Sequence, residues 1–315
     1  MENKVADVLI IGGGAAGLTS AIYCGRAGLK TVLCESGFSG GKIISVNSIE
    51  NYPGFSSVNG FELAGKMKEQ ALNSGVEIKE FLKTEKVNLK DKVKNIYTDS
   101  TVFEAKCVII ATGSQKVLLD VKNEEKFHGN GVHYCAECDG FLYKNKTVAV
   151  TGGGSSAVSA AIYLSESAAK VLMIRRKDSF HCEKILLDRL KKISNIQILY
   201  NWNITDLLGE DKLIGIEVQN TRNHTRGILS ADGVFVFNGS RPSTELFKDV
   251  LSLDSEGYIF TDENMCTNIP GVFAAGDVRS KLCRQITTAT ADGTAAAYSA
   301  EKYIHGQSEF TASIN

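Results

Sequence analysis

Two stretches of the chain show the same order of apolar and polar positions. In each, a short apolar run of strand length leads into three glycines, a segment of helical periodicity and a second apolar run. This order predicts a βαβ unit with parallel strands, which occurs twice. The four segments are 8–11, 12–14, 18–27 and 31–34 in the first copy, and 148–151, 152–154, 158–167 and 170–174 in the second.

Two further apolar runs match the first copy. Residues 108–111 lead into Thr112 and Gly113, and residues 271–275 lead into Gly276 and Asp277. Strands from both ends of the chain therefore belong to one domain. We expect an α/β fold with two Rossmann-like nucleotide-binding domains, the second inserted into the first. The predicted boundaries are 1–113 with 246–315 for one domain, and 114–245 for the other.

The glycine turns indicate dinucleotide sites, because glycine lets backbone N–H groups approach a pyrophosphate at a helix N-terminus. Glu35 ends the second strand of the first copy, where an acid binds an adenosine ribose. The second copy has Arg175, Arg176 and Lys177 at that strand end. Cations there favour the 2′-phosphate of NADPH. Asp277, at the end of a strand, fits either ligand binding or the N-cap of a helix over 287–303.

Composition limits the classes of function. There are 35 Lys and Arg against 36 Asp and Glu, without the basic excess of a nucleic-acid-binding protein. No run reaches the roughly 20 apolar residues of a membrane span, and the first residues do not resemble an export signal. We therefore expect a cytoplasmic protein with neither nucleic-acid nor membrane partners.

Cys135 and Cys138 are the closely spaced pair among eight cysteines. A dithiol/disulfide redox centre is favoured, because a two-residue spacer closes a small loop in which a thiol pKa can be lowered. Asp139 would carry the proton that such chemistry moves. Two alternatives stay open: a zinc site that includes His128 and His133, and two ordinary buried cysteines.

The chain resembles the low-molecular-weight thioredoxin reductases over essentially its whole length. The motif CAxCDG, at 135–140, is the most specific match. The other matching segments are GGGxAG at 12–17, ENYPG at 50–54, ATG at 111–113, GGGxSA at 152–157, Gly276-Asp277 and Arg284-Gln285.

The resemblance implies a homodimer that binds FAD and reduces thioredoxin. Cys138 would face the flavin, Cys135 would attack the thioredoxin disulfide, and Asp139 would be the acid/base. The inserted domain would carry the disulfide and swivel. The FAD contacts implied are Gly12, Gly14, Ala15, Ala16, Gly17, Glu35, Gly41, Lys42, Asn51, Ala111, Thr112, Gly113, Gly276, Asp277, Arg284, Gln285 and Ile286. The NADPH contacts implied are Gly152, Gly154, Ser155, Ser156, Ala157, Arg175, Arg176, Lys177 and His181.

The departures from the family pattern concern the electron donor. The family's HRRxxxR clamp is represented by Arg175, Arg176, Lys177 and His181, and no acidic residue follows the second glycine turn at 158–161. Lys lacks the planar fork of Arg.

Two more features bear on the flavin. Lys42 replaces the glutamine of the family's GGQ turn, and it would either approach the flavin or point to solvent. Phe310, in the C-terminal tail, would cover the flavin face.

Together these features resemble a clostridial-type branch that takes electrons from reduced ferredoxin. We favour ferredoxin slightly over NADPH, with Lys42 and Lys281 as candidate docking cations.

Overall fold

The computed structural model describes residues 3–46 and 49–306, with the backbone alone for Asn3 and Lys4. The strands are β1 Asn3–Ile11, β2 Thr31–Cys34, β3 Glu77–Lys79, β4 Thr84–Asn88, β5 Lys94–Thr98, β6 Val102–Ile110, β7 Ser114–Lys116, β8 Val132–His133, β9 Thr147–Gly152, β10 Lys170–Arg175, β11 Ile196–Tyr200, β12 Trp202–Gly209, β13 Leu213–Asn220, β14 Arg226–Ser230, β15 Gly233–Phe237, β16 Ser240–Pro242 and β17 Val272–Ala274.

The α-helices are α1 Ala15–Arg26, α2 Gly60–Asn73, α3 Glu124–Phe127, α4 Ala136–Asp139, α5 Ser155–Ser165, α6 Lys184–Leu190 and α7 Ile286–Ile304. Three short 3₁₀ helices lie at Gly41–Ser45, Gly140–Tyr143 and Gly276–Val278. The described helices include none that is long and apolar enough to cross a membrane.

The chain forms two compact units. Met1–Gln115 joins Arg241–Asn315 in the first, and Lys116–Ser240 makes the second. The mixed α/β class that the sequence predicts is confirmed. The nucleotide that each unit binds remains a prediction.

The first unit is built on a seven-stranded sheet of order β3-β2-β1-β6-β5-β4. β17 adds to it by pairing in parallel with the second half of β6, from Val272↔Val108 to Ala274↔Ile110. The second half of β1, from Val8 to Ile11, is buried on both faces, as expected for a central parallel strand. Its Val8 and Ile10 pack in a core with α1, α2 and α7, whereas Leu9 and Ile11 pack in a second core on the opposite face.

The second unit repeats this plan with a parallel five-stranded sheet of order β11-β10-β9-β15-β8. Val148 and Val150 of β9 pack against α5 and α6. Ala149 lies in the opposite core together with residues of β12 and β13, which form an antiparallel three-stranded sheet with β14. Both units therefore place a glycine turn at the carboxyl end of a buried parallel strand, where α/β sheets bind ligands.

Candidate active site

The first glycine turn leaves no room for side chains at two of its positions. Gly12 has a φ of +103°, and a Cβ there would lie 2.4 Å from the carbonyl oxygen of Ala111. A Cβ on Gly17 would lie 1.8 Å from the carbonyl oxygen of Gly12. Glycine at both positions lets α1 begin directly against the end of β1, with Ala15 and Ala16 buried in its first turn.

Gly14 and Glu35 line a cradle that fits an adenine dinucleotide. Gly14 is the N-cap of α1, gives the helix no side-chain cap and has open space where a Cβ would stand. The first N–H groups of α1 are therefore available to a pyrophosphate. The Gly13 N–H donates to Glu35 Oε2 at 2.7 Å, which holds the carboxylate beside the turn. These donors and this acceptor suit the pyrophosphate and ribose of FAD.

Lys42 turns towards Ser114 and towards Asp277, which is a predicted FAD contact. It follows Gly41, whose φ is +57°. Its Nζ donates to Ser114 Oγ at 2.5 Å and lies 3.7 Å from Asp277 Oδ2. Burial lowers the pKa of Lys42, and the attraction of Asp277 offsets this only in part. The Lys42 side chain is nevertheless 45% exposed, so its approach to the flavin remains a prediction.

Asp277 lies in the 3₁₀ helix that follows β17, so the alternative that it caps α7 is wrong. The N-cap of α7 is Gln285. Asn51 Nδ2 donates to Gln285 Oε1 at 3.3 Å, which brings together two residues far apart in the sequence. Gly276 has a φ of +83°, and its Cβ would lie 2.8 Å from that of Ala16.

The other predicted FAD residues lie at element ends in the same unit. Thr112 Oγ1 donates to Ser243 O at 2.8 Å, and Gly113 has a φ of +66°. The Arg284 guanidinium lies 3.8 Å from the centroid of the Tyr258 ring. Ile286 begins α7.

A charged cluster beside Gly276 was not identified from the sequence. Asp292 Oδ1 lies 2.8 Å from Arg279, and its Oδ2 lies 2.8 Å from Lys281 Nζ and accepts the Gly276 N–H at 3.0 Å. The signal in the sequence was Asp292, an aspartate that stands among Ala, Thr and Gly residues in α7 and therefore needs a polar partner. Lys281 has a side chain only 10% exposed, so its assignment as a docking cation is wrong.

The second glycine turn is covered by a side chain of its own unit. Gly152 aligns with Arg175 as Gly12 aligns with Glu35, because Thr151 pairs with Ile174 and Ile11 pairs with Cys34. A Cβ on Gly153 would lie 2.0 Å from the Arg175 Cζ. Arg175 is 8% exposed, donates to the carbonyl oxygen of Ser179 and places its guanidinium 5.2 Å from the Phe180 ring centroid.

The remaining predicted NADPH residues surround this turn. Gly154 is the N-cap of α5 without a side-chain cap, and Ser155, Ser156 and Ala157 form the first helical turn. The His181 N–H donates to Gly153 O at 2.8 Å, so the loop after β10 runs beside the turn. Arg176, Lys177 and His181 are exposed.

Cys135 and Cys138 form a disulfide, with their Cα atoms 5.3 Å apart. Cys135 is the N-cap of α4, and the Cys138 N–H donates to Cys135 Sγ at 3.2 Å. An N–H aimed at sulfur stabilises a thiolate on Cys135 once the disulfide is open. Within the described ranges no cluster of His, Cys, Asp or Glu side chains is arranged to hold a metal ion.

Asp139 follows Cys138 directly and lies beside a buried histidine. His133 Nδ1 is 3.0 Å from Asp139 Oδ2, and His133 Nε2 is 2.7 Å from the Tyr143 hydroxyl. Sequence reasoning named His133 only as a zinc alternative. Its position two residues before Cys135, on β8, was the signal for a contact with the redox pair.

Comparison with known proteins identifies the family. Residues 6–293 match the pyridine nucleotide-disulphide oxidoreductase family. The chain belongs to this family. Among curated proteins, it is 47% identical to the 34.2 kDa protein in the rubredoxin operon of Clostridium pasteurianum, over 97% of this chain and 99% of that protein.

Two solved structures extend this result. The chain matches Lactococcus lactis thioredoxin reductase in its FR conformation with a TM-score of 0.92 and 37% identity, covering 96% of this chain and 99% of the other. It also matches a ferredoxin-flavin thioredoxin reductase of Clostridium acetobutylicum with a TM-score of 0.54 and 32% identity, covering 97% and 100%. The resemblance to thioredoxin reductases is thus confirmed, as is an oxidoreductase with two Rossmann-like domains. Membership implies FAD as the cofactor. Phe310 lies outside the described residues.

Proposed function

We propose that this chain is a thioredoxin-disulfide reductase whose redox centre is the Cys135–Cys138 disulfide. The observation that carries the proposal is the Cys138 N–H directed at Cys135 Sγ, with Asp139 as the next residue. This arrangement provides a stabilised thiolate, a second thiol and a proton carrier within five consecutive residues. The family match and the 37% identity to a thioredoxin reductase support the substrate class.

The proposed exchange moves two electrons from the cysteine pair to thioredoxin. The Cys135 thiolate forms a mixed disulfide with one thioredoxin sulfur, and the released thiolate takes a proton from Asp139. The Cys138 thiol then passes its proton to Asp139 and attacks Cys135. The second thioredoxin thiolate leaves and takes that proton, and the Cys135–Cys138 disulfide is restored. The reverse assignment of the two cysteines is disfavoured because Cys135 Sγ, the N-cap atom, receives the N–H.

FAD, when bound, supplies the two electrons that reopen the disulfide. We propose that the free N–H groups at the start of α1 bind its pyrophosphate and that Glu35 binds the adenosine ribose. Asp277, held near Lys42, would accept from a ribityl hydroxyl. The contribution of the chain is to position the cofactor and to set the charge around it.

From the family resemblance we also propose that the enzyme is a homodimer. As the electron donor we propose reduced ferredoxin. The supporting observation is Arg175, whose guanidinium lies against Gly153 and already donates to Ser179 O. A nucleotide at this turn would have to displace that side chain from its stack on Phe180. A ferredoxin-flavin thioredoxin reductase is also among the structures that the chain matches, at 32% identity.

NADPH is the alternative donor, and a specific observation favours it. Arg176 and Lys177 are exposed at the end of β10, where an NADP 2′-phosphate binds in Rossmann folds. The N-terminus of α5 also has no side-chain cap, so its N–H groups are available to a pyrophosphate.

Anaerobic titration of the flavin absorbance distinguishes the donors. The FAD-loaded protein is mixed with one equivalent of NADPH and then, in a separate sample, with chemically reduced ferredoxin. We expect bleaching by ferredoxin alone. Thioredoxin disulfide is then added, and its thiols are counted. Cys135→Ser should keep the yellow colour but produce no thioredoxin thiols.

Each alternative has its own outcome. Stoichiometric bleaching by NADPH would replace ferredoxin with the ordinary donor and leave the thiol chemistry intact. Full thioredoxin reduction by Cys135→Ser would refute the redox centre. Reduction of a different thiol protein in a panel, with thioredoxin left oxidised, would change the partner.

A further inference from the structure

His133 is buried in the second unit, directly behind the redox pair. The side chain is 1% exposed, and the ring stacks on Phe235 of β15 with centroids 5.2 Å apart. A buried polar ring costs free energy unless its nitrogens have partners. Both nitrogens of His133 do have polar neighbours, one on each side of the ring.

The neighbours of Nε2 define where the imidazole proton lies. The Gly131 N–H points at Nε2 at 3.4 Å, and an N–H can only donate. The Tyr143 hydroxyl is 2.7 Å from the same atom. Burial, with a contribution from Asp139 and Asp232, raises the pKa of Tyr143 to about 12, so its hydroxyl is available to donate at neutral pH. Nε2 is therefore the acceptor, and the proton of the neutral ring lies on Nδ1.

The protonated nitrogen faces Asp139. Nδ1 lies 3.0 Å from Asp139 Oδ2, but the N–H is not directed at that oxygen, and Nδ1 has no well-aligned hydrogen bond in the disulfide form. The Asp139 side chain is 36% exposed, so it has room to rotate.

We propose that His133 is a positioning residue for Asp139, and that Tyr143 holds the imidazole in the tautomer that donates to it. The inference rests on the proposed function, in which Asp139 gives a proton to each departing thioredoxin thiolate. The imidazole N–H stabilises the carboxylate that remains. It therefore favours the carboxylate form of Asp139, which makes Asp139 a better proton donor to a departing thiolate.

Among the described residues, few charged groups lie near Asp139 and His133. Glu137 lies on the same helix as Asp139, with its Oε2 3.9 Å from Cys135 Sγ. Behind the ring, the charge of Asp232 contributes to the raised pKa of Tyr143. Lys146 Nζ lies 5.4 Å from the Tyr143 ring centroid. Phe235 covers the face of the imidazole on which it stacks. Among the groups named in this paragraph, the imidazole Nδ1 is the hydrogen-bond donor that lies beside Asp139, 3.0 Å from its Oδ2.

Two substitutions separate the nitrogens of the ring. In His133→Asn the amide nitrogen can stand near the Nδ1 position and donate to Asp139. In His133→Gln the amide reaches the Nε2 position, towards Tyr143, and the donor to Asp139 is lost. The measurement is the rate of thioredoxin reduction by the pre-reduced protein as a function of pH, in which the alkaline decline reports loss of the proton that the departing thiolate takes up.

We expect His133→Gln to move the alkaline decline upward by about one pH unit, and His133→Asn to leave it near that of the wild type. Tyr143→Phe, which keeps the ring but removes the donor to Nε2, should move it upward by less. Equal midpoints in the wild type and in the Gln and Asn variants would overturn the proposal, even if both variants lost part of their activity or stability. A downward shift in His133→Gln, or an upward shift in His133→Asn alone, would also overturn the proposal.

A second readout does not depend on thioredoxin. The pH dependence of Cys135 alkylation by iodoacetamide in the reduced protein follows the thiolate, which is coupled to the charge of Asp139. A difference between the Gln and Asn variants supports the role of His133 even if thioredoxin proves not to be the partner. No difference there, with normal thioredoxin reduction by the wild type, overturns the role of His133 and leaves the proposed function standing.

Discussion

The six cysteines outside the redox pair differ widely in their surroundings. Cys24, Cys34 and Cys107 are buried, and burial raises the pKa of each thiol to about 12. Cys283 is exposed. Because only the thiolate reacts with alkylating agents, burial and a raised pKa both protect the three buried thiols.

This difference predicts a labelling order. In the native protein at pH 8, iodoacetamide should label Cys283 first, while Cys24, Cys34 and Cys107 stay unlabelled until the protein unfolds. Cys135 and Cys138 should react only after reduction, with Cys135 the faster. Peptide mass spectrometry at timed intervals measures the order. Early labelling of Cys107 would contradict the packing of β6.

Residue types in the site were more predictable than their contacts. Glu35 was assigned correctly to the side of the glycine turn because motif spacing determines which strand end it occupies. The burial of Lys281 was missed, because its partner Asp292 is brought to it by the packing of α7. Sequence spacing within one element carries no information about such a partner.

At the level of elements, the start of α1 depends on a glycine. A Cβ on Gly17 would meet the Gly12 carbonyl oxygen, which is backbone and cannot turn away. The second copy has Ala157 at the equivalent position, so a methyl group is accommodated there but not here. Gly65, exposed in α2, has nothing within 4 Å of its Cβ position and serves as a matched control.

The two glycines therefore predict opposite effects. Gly17→Ala should lower the free energy of unfolding by about 1–3 kcal/mol or more, through overpacking, and should weaken FAD retention. Gly65→Ala should raise it by about 0.5–1 kcal/mol, because alanine favours a helix. Urea unfolding and the flavin content of the purified variants measure both. A stable, flavin-loaded Gly17→Ala protein would show that α1 can shift away from β1.

Helix boundaries illustrate the limits of periodicity. The sequence predicted helices from residues 18 and 158, whereas α1 begins at Ala15 and α5 at Ser155. Small residues such as Ala15 and Ser155 show no apolar pattern, yet they form the turn whose N–H groups face a ligand. The antiparallel strands β12 to β14 were not predicted, because polar residues interrupt their apolar positions and the glycine turns that marked the parallel units are missing.

At the level of the whole molecule, one unit is built from a single continuous segment of the chain and the other from two separate segments. The unit Lys116–Ser240 is continuous and contains two apolar cores of its own. The other unit draws β17 and α7 from the C-terminal segment, and a Cβ on Gly293 of α7 would lie 2.3 Å from the Ala16 carbonyl oxygen. Its two halves therefore depend on each other.

This asymmetry predicts the behaviour of fragments. A fragment of residues 116–240 should fold alone, because none of the strands in its main sheet comes from outside it. It should unfold cooperatively in urea, form the Cys135–Cys138 disulfide and remain colourless. Fragment 1–115 alone should fail to bind FAD, since β6 lacks its β17 partner, and co-expression with 241–315 should restore the yellow colour. Non-cooperative unfolding of 116–240 would show that its cores need the rest of the chain. With a folded fragment, calorimetric titration with NADPH reports on the Arg175 turn without any flavin, so nucleotide binding is measured separately from electron transfer.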